Sequence, residues 1–271
     1  MGPWCVVTRS AIKPARLPDE LLAEGVSTFD VAAAARRTGL APERVHGALK
    51  RLADAGQIFS PARGFYVIIP PEYRSWGAVP ASWFVHPMMA HLGRSYYVAL
   101  LSAAEMFGAA HQRPQVFQVV VDKYLPDRAF GRVRMQFVVN QHAAELATTP
   151  VNSPTDTLRV SPPEVTSLDL ASRPDDSGGL SNVATVFIEL FEDREIAEQG
   201  IIDAARFYPS ASVRRAGYLL ETFADARLDA LCAFADPGAH EPAPLQAGGV
   251  RRGRVDQRWN LRLNTEIEPD L

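Results

Sequence analysis

Only two cysteines occur, Cys5 and Cys232, and neither has a CxxC partner or a histidine at metal-ligand spacing. This argues against a disulfide-stapled scaffold or a zinc site and predicts reduced thiols in a cytoplasm. No apolar run approaches the roughly 20 residues that a membrane-spanning helix needs. The N-terminus has no basic region followed by an apolar stretch, so no secretory leader is expected. Lysine is scarce, 3 residues against 25 arginines, which we read as genomic base composition rather than mechanism. There is no P-loop, no GxGxxG, and no nucleotidyltransferase or kinase signature. The expectation is a soluble, cytoplasmic protein that needs no metal or cofactor and is not an enzyme.

What is present suits one large domain or two ordinary ones: 271 residues, 47% of them hydrophobic. The net charge of −3 is divided unevenly. Residues 1–75 carry 10 Lys and Arg against 7 Asp and Glu, a balance of +3, and the remainder carries 18 against 24, a balance of −6. A basic head on an acidic body fits a DNA-reading domain joined to something else.

Residues 27–70 form the most informative stretch. The alanine-rich run Phe29 to Thr38 predicts a helix with Thr28 as its N-cap and Gly39 as its left-handed stop. Pro42 then suits the first turn of a second helix that runs to about Ala55 and stops at Gly56. Within it Val45, Ala48, Leu49 and Leu52 recur at helical spacing and should face a core. Arg44, Gly47 and Arg51 fall on another face, with His46 and Lys50 beside them. Strands at Gln57–Ser60 and Phe65–Ile69, joined through Pro61, Ala62, Arg63 and Gly64, complete a small hairpin. Two helices and a hairpin in this order predict a winged helix-turn-helix. Arg44, His46, Lys50 and Arg51 would serve the major groove and Arg63 the wing contact, with Arg36 and Arg37 completing the DNA-binding set. The plainer reading is a solvated amphipathic helix with ordinary surface charges.

Ahead of this stretch, Leu17 to Glu24 predicts a short helix. Pro70 to Pro80 is proline-broken and aromatic, a linker or strap. Beyond it Trp83–Leu92 and Tyr96–Phe107 read as helices. Val116–Val121, Val133–Val139 and Thr157–Val160 read as strands, and a helix opens at Pro162-Pro163-Glu164. Ser181 is expected to cap a further helix, followed by Glu195–Phe207 and one long helix over Ser212–Ala233. Residues Trp259–Asn264 alternate like a half-buried strand. The fold class is therefore α+β: a winged helix-turn-helix over residues 1–70, a linker or strap over 71–82, and a larger mixed α/β domain over 83–271.

Candidate chemistry is sparse. His86 and His91 lack an acid at metal spacing, Cys232 has no evident general base, and Asp122-Lys123 is too common a pair to mark a nuclease. The pairs Asp175-Asp176 and Glu192-Asp193 read as a turn and a solvated helix end. The tail arginines Arg251, Arg252, Arg254, Arg258 and Arg262 are the most basic piece outside the winged helix. They allow three readings: a solvated face, a second phosphate-contacting patch, or an anchor for an acidic partner.

Residues 64–121 (GFYVIIPPEYRSWGAVPASWFVHPMMAHLGRSYYVALLSAAEMFGAAHQRPQVFQVVV) resemble the AbiEi family of type IV toxin–antitoxin antitoxins, bacterial transcriptional regulators. The similarity continues through Val213–Glu221 (VRRAGYLLE) and the closing Arg258-Trp259-Asn260-Leu261 and Asn264. The resemblance implies a repressor that binds operator repeats in its own promoter as double-stranded DNA. It also implies a C-terminal domain that neutralises a cognate AbiEii-like nucleotidyltransferase toxin. A monomer or weak dimer is expected. A different class of function is a toxin-binding protein–protein module whose winged helix does not read DNA.

Overall fold

In the computed structural model, the described residues are 11–109, 114–236, 238, 241–250 and 252–270. The fold is α+β, with helices and three sheets. It divides into two compact units. The first holds the chain to Arg94 together with Asp127–Met135 and Asn152–Thr157; the second holds Ser95–Pro126, Gln136–Val151 and Leu158–Leu271.

In the first unit, α1 (Leu17–Ala23) precedes β1 (Thr28–Asp30), α2 (Val31–Thr38) and α3 (Pro42–Asp54). The expected helix start at Phe29 is corrected. Thr28–Asp30 is a short strand, and Asp30 rather than Thr28 is the N-cap, its Oδ1 accepting from Ala33 N–H at 2.6 Å. Phe29 is drawn into that strand because its ring stacks on Tyr66, directly opposite in register, with centroids 5.6 Å apart. Gly39, at φ +66, ends α2 in the left-handed conformation, and its N–H bonds Ala35 C=O. The strands β2 (Ile58–Ala62) and β3 (Phe65–Ile68) form an antiparallel hairpin closed by Arg63-Gly64, and β1 adds to β3 to give the order β1-β3-β2. Gly64 has φ +76, which a two-residue hairpin turn favours. Leu17, Leu21, Phe29, Ala34, Val45, Leu49, Leu52, Ile58 and Ile68 close one core beneath these elements.

The expected strap is a 3-10 segment, Pro71–Trp76, in which Tyr73 packs edge-on against Trp76 and Trp83. The helix expected from Trp83 starts two residues later as α4 (Val85–Leu92).

In the second unit the expected Tyr96–Phe107 helix is corrected to a strand, β4 (Tyr96–Val98), followed by α5 (Leu100–Met106). Leu100 is the break, at φ +53, with Leu101 N–H bonded to the Gln118 side chain. Such a turn in a buried leucine costs about 1–3 kcal/mol and persists only where its surroundings over-determine it. Here β4 is flanked by β5 (Phe117–Val121), antiparallel, and by β9, parallel, so the aromatic and β-branched run becomes a buried central strand. The remaining strands of this sheet are β6 (Arg128–Phe130, in the first unit), β7 (Val133–Val139), β8 (Thr149–Asn152) and β9 (Thr157–Val160), and the sheet order is β6-β7-β5-β4-β9-β8.

The helices α6 (Pro163–Ser172), α7 (Gly179–Phe191), α8 (Glu198–Ala205), α9 (Ser210–Phe223) and α10 (Asp229–Ala235) follow. Ser181 does not cap α7, which starts at Gly179 after a left-handed Gly178; its hydroxyl accepts from Glu268 N–H. The single helix expected over Ser212–Ala233 is two, interrupted around Asp225 at φ +49, because Glu221 Oε1 accepts Leu228 N–H and turns the chain. The closing strand is only β12 (Leu261–Arg262), paired with β10 (Ala243–Pro244) and β11 (Val255–Asp256). No described helix is long and apolar enough to cross a membrane.

Candidate functional site

The amphipathic split of α3 follows the spacing of its residues. Val45, Ala48, Leu49 and Leu52 are buried to 5% exposure or less, while Arg44, His46, Gly47, Lys50 and Arg51 are all exposed. Burying those four side chains at roughly 25 cal/mol per Å² holds the helix down without using its cations. Gly47 sits at the centre of the outward face. A Cβ there would meet only Arg51 Nη1, at 3.8 Å, so the glycine is not demanded by internal packing. Of the two arginines on α2, Arg36 is exposed, whereas Arg37 is half-buried in an ion pair with Glu24.

Arg63, at the tip of the β2–β3 hairpin, is exposed. An interaction that sequence reasoning missed fixes the backbone beneath it. His91 Nε2 donates to Arg63 C=O at 3.0 Å, and its ring packs on Phe65 with centroids 5.3 Å apart. His91 is thus a surface residue that orients a turn presenting an arginine. The β6–β7 hairpin, in the same unit, docks Phe130 on Phe59 and Phe84, at 5.2 and 6.2 Å between centroids. Gly131 leaves no space for a side chain against the Trp76 carbonyl. Arg132 lies 5.8 Å over the Trp76 ring.

The packing division sharpens the charge asymmetry seen in sequence. The first unit carries 14 Lys and Arg against 9 Asp and Glu, a balance of +5, and the second carries 14 against 22, a balance of −8.

Arg251 lies outside the described residues, Arg252 and Arg254 are exposed, and Arg262 is half-buried with a bond to Gly253 C=O at 3.4 Å. Arg258 is engaged in ion pairs, forking onto both oxygens of Glu221 at 2.7 Å and reaching Asp229 at 2.8 Å. These bonds push the Arg258 guanidinium further up. Burial raises the Glu221 carboxyl, but hydrogen bonds from Arg258, Leu228 N–H and Trp259 outweigh it and leave it below the usual range. Arg258 is therefore a clasp for the C-terminal segment.

Burial pushes the Cys232 thiol up, away from a thiolate, and Cys5 lies outside the described residues. His86 Nε2 approaches Asp156 at 3.9 Å. Among the described residues no group of three or more His, Cys, Asp or Glu could hold a metal ion.

Sequence reasoning also missed the polar core of the second unit. Arg215 is 4% exposed and donates to Ala171 C=O and Leu245 C=O, each at 2.6 Å; Arg214, 3% exposed, donates to Asn260 C=O at 3.1 Å. Asp169 is buried where Tyr208 and Tyr97 hydroxyls donate to its Oδ1 at 2.8 and 3.3 Å. Burial raises its carboxyl to about 7 against the opposing pull of those hydroxyls and of Arg173. The only sequence signal for this layer was the VRR run in a helix of otherwise core-facing spacing.

Comparison with known proteins agrees with this architecture. Among solved structures, the crystal structure of the RV2827C protein from Mycobacterium tuberculosis has a similar fold, with a TM-score of 0.66 and 18% identity over 93% of this chain and 92% of that one. No curated protein matches. The family described as the AbiEi antitoxin C-terminal domain matches residues 97–222, which run from the central strand of the large sheet to the end of α9. Over those residues, somewhat under half of its length, the chain is similar to the AbiEi antitoxin family.

Proposed function

We propose that residues 28–69 form a winged helix-turn-helix that binds double-stranded DNA, so that the protein represses its own toxin–antitoxin operon. In this reading α3 enters the major groove, Arg44, Lys50 and Arg51 meet base edges and phosphates, and the Arg63 turn is the wing. His46 and Arg36 lie at the border of the interface, and Arg37 braces α2 through Glu24. The observation that carries the reading is the outward face of α3. Its cations are exposed around a glycine that internal packing does not require, on a unit of net positive charge. A glycine facing a duplex lets the helix backbone approach closely.

The acidic second unit neutralises a nucleotidyltransferase toxin, and the protein acts by binding in the cytoplasm rather than by catalysis. The test is fluorescence anisotropy with a duplex taken from upstream of the coding frame, across several salt concentrations. Specific binding that tightens as salt falls is expected, with log K changing by about −0.9 per phosphate neutralised for each decade of salt. Arg44→Ala with Arg51→Ala should abolish preference for that duplex while co-purification with the toxin persists. If the wild-type protein shows no preference for the upstream duplex but still retains the toxin, it is a protein-binding module instead.

A further inference from the structure

The second unit has an open cleft of about 780 Å³ between the end of β7, the C-terminal turn of α6 and the segment before α9. That volume lies within the range of small-ligand sites. Two buried polar atoms at this cleft have no protein partner, Asp169 Oδ2 and Ser172 Oγ. They stand three residues apart on α6, hence on one side of the helix. The other carboxylate oxygen is held by two tyrosine hydroxyls, so the group is oriented and cannot turn away to find a donor. An unpaired buried oxygen of this kind is destabilising, because folding strips its water and returns no donor. Such an arrangement persists most readily where a ligand completes it.

The surroundings define the missing group. Both lining arginines are already engaged, Arg173 with Asp176 at 3.1 Å and Arg206 with Asp203 at 3.3 Å. Asp175 adds a further carboxylate to the wall, and Phe207 and Tyr208 supply aromatic surface. The empty positions are a carboxylate oxygen and a hydroxyl that can also accept, and the local excess is negative, so an anion fits poorly. A planar cation with several N–H groups fits well.

We infer that this cleft binds an organic cation through a guanidinium or primary ammonium group, with Asp169 as its counter-ion and Ser172 as a second acceptor. This stands independently of DNA binding, since none of the residues involved belongs to the first unit.

The test is calorimetric titration of the full chain with agmatine, spermidine and the blocked tripeptide acetyl-Gly-Arg-Gly-amide, beside the neutral urea analogue acetyl-citrulline-amide. Saturable binding of at least one cation, and none of the citrulline analogue, is expected. Asp169→Asn should weaken it at least about tenfold, as removal of a charge-assisted bond implies, and Ser172→Ala should weaken it less. Binding of agmatine or spermidine alone identifies a free small cation, and binding of the peptide identifies an arginine presented by a partner protein; either supports the site. Circular dichroism establishes that each variant is folded, and Ser172→Ala carries the test if Asp169→Asn is not. No binding by any cation, equal binding of the citrulline analogue, or affinity unchanged in the folded variants would overturn the assignment.

Discussion

The two units use arginine in opposite ways. On α3 the cations stand outward and the helix is held by its apolar stripe, so Arg44 and Arg51 contribute little to the fold. On α9 Arg214 and Arg215 point inward and donate to backbone carbonyls of the closing segment and, from Arg215, of Ala171 in α6, so they contribute to the fold and offer nothing to a partner. The same residue type is therefore exposed charge on one helix and a strut on the other. Counting arginines cannot tell these roles apart, because both lie on amphipathic helices. What separates them is whether neighbouring chain supplies unpaired carbonyls to meet the guanidinium.

The largest effect expected from this contrast is at Arg215. Its replacement by alanine removes a buried cation and leaves Ala171 and Leu245 carbonyls unpaired, and should cost about 3–5 kcal/mol in denaturant unfolding. Arg51→Ala should change the same measurement by less than about 0.5 kcal/mol. Equal effects would erase the distinction between the two helices.

Next comes Asp169. Its folded-state carboxyl titrates at about 7, above the ordinary value of 3.8, chiefly through burial. The proton is thus held more tightly by the folded chain, so this stabilisation is complete below about pH 4 and is lost as pH rises through about 7. Converted at about 1.36 kcal/mol per pH unit, the loss is on the order of 4 kcal/mol. The groups facing it are the Tyr97 and Tyr208 hydroxyls and, electrostatically, Arg173. Asp169→Asn should flatten the dependence of Tm on pH across this window, and a profile that keeps its slope would show that another group is responsible.

In the first unit, Arg44→Ala or Arg51→Ala should each weaken specific DNA binding by about 1–3 kcal/mol for every base-edge hydrogen-bonding pair removed, without changing Tm. Unchanged affinity in both would remove α3 as the reading helix.

The smallest effects sharpen the comparison through two helical glycines. Gly47→Ala should raise stability by about 0.5–1 kcal/mol, since helical glycine is costly and its Cβ has room; weaker DNA affinity in the same variant would reveal close backbone approach. Gly217→Ala should have the opposite sign, because the Trp259 ring lies directly over it. A stable Gly217→Ala protein would mean that Trp259 can leave its seat.

Much of the first unit was legible because its rules are local. The Gly39 stop, the Pro42 start, the α3 stripe and the β2–β3 hairpin all follow from residues within a few positions of one another. Local rules failed at Phe29, where a stacked cross-strand partner won over alanine-rich helix propensity. They failed again at Tyr96–Phe107, where two flanking strands and the Gln118 side chain turned the first three residues of an apparent helix into a central strand. Arg258 read as one of a basic cluster, yet its partners Glu221 and Asp229 are 37 and 29 residues away. The same distance hid Asp169, whose tyrosines are 72 and 39 residues off.

The order of residues was enough to specify the amphipathic α3, the hairpin behind it, the uneven charge and the family resemblance carried by residues 64–121, since periodicity, turn chemistry and motif are properties of chain neighbours. Folding in three dimensions settled the rest: which arginines are struts, that His91 holds the Arg63 turn, and that Asp169 and Ser172 face a cleft. Those outcomes depend on which distant carbonyls, hydroxyls and rings the folded chain brings within hydrogen-bonding reach.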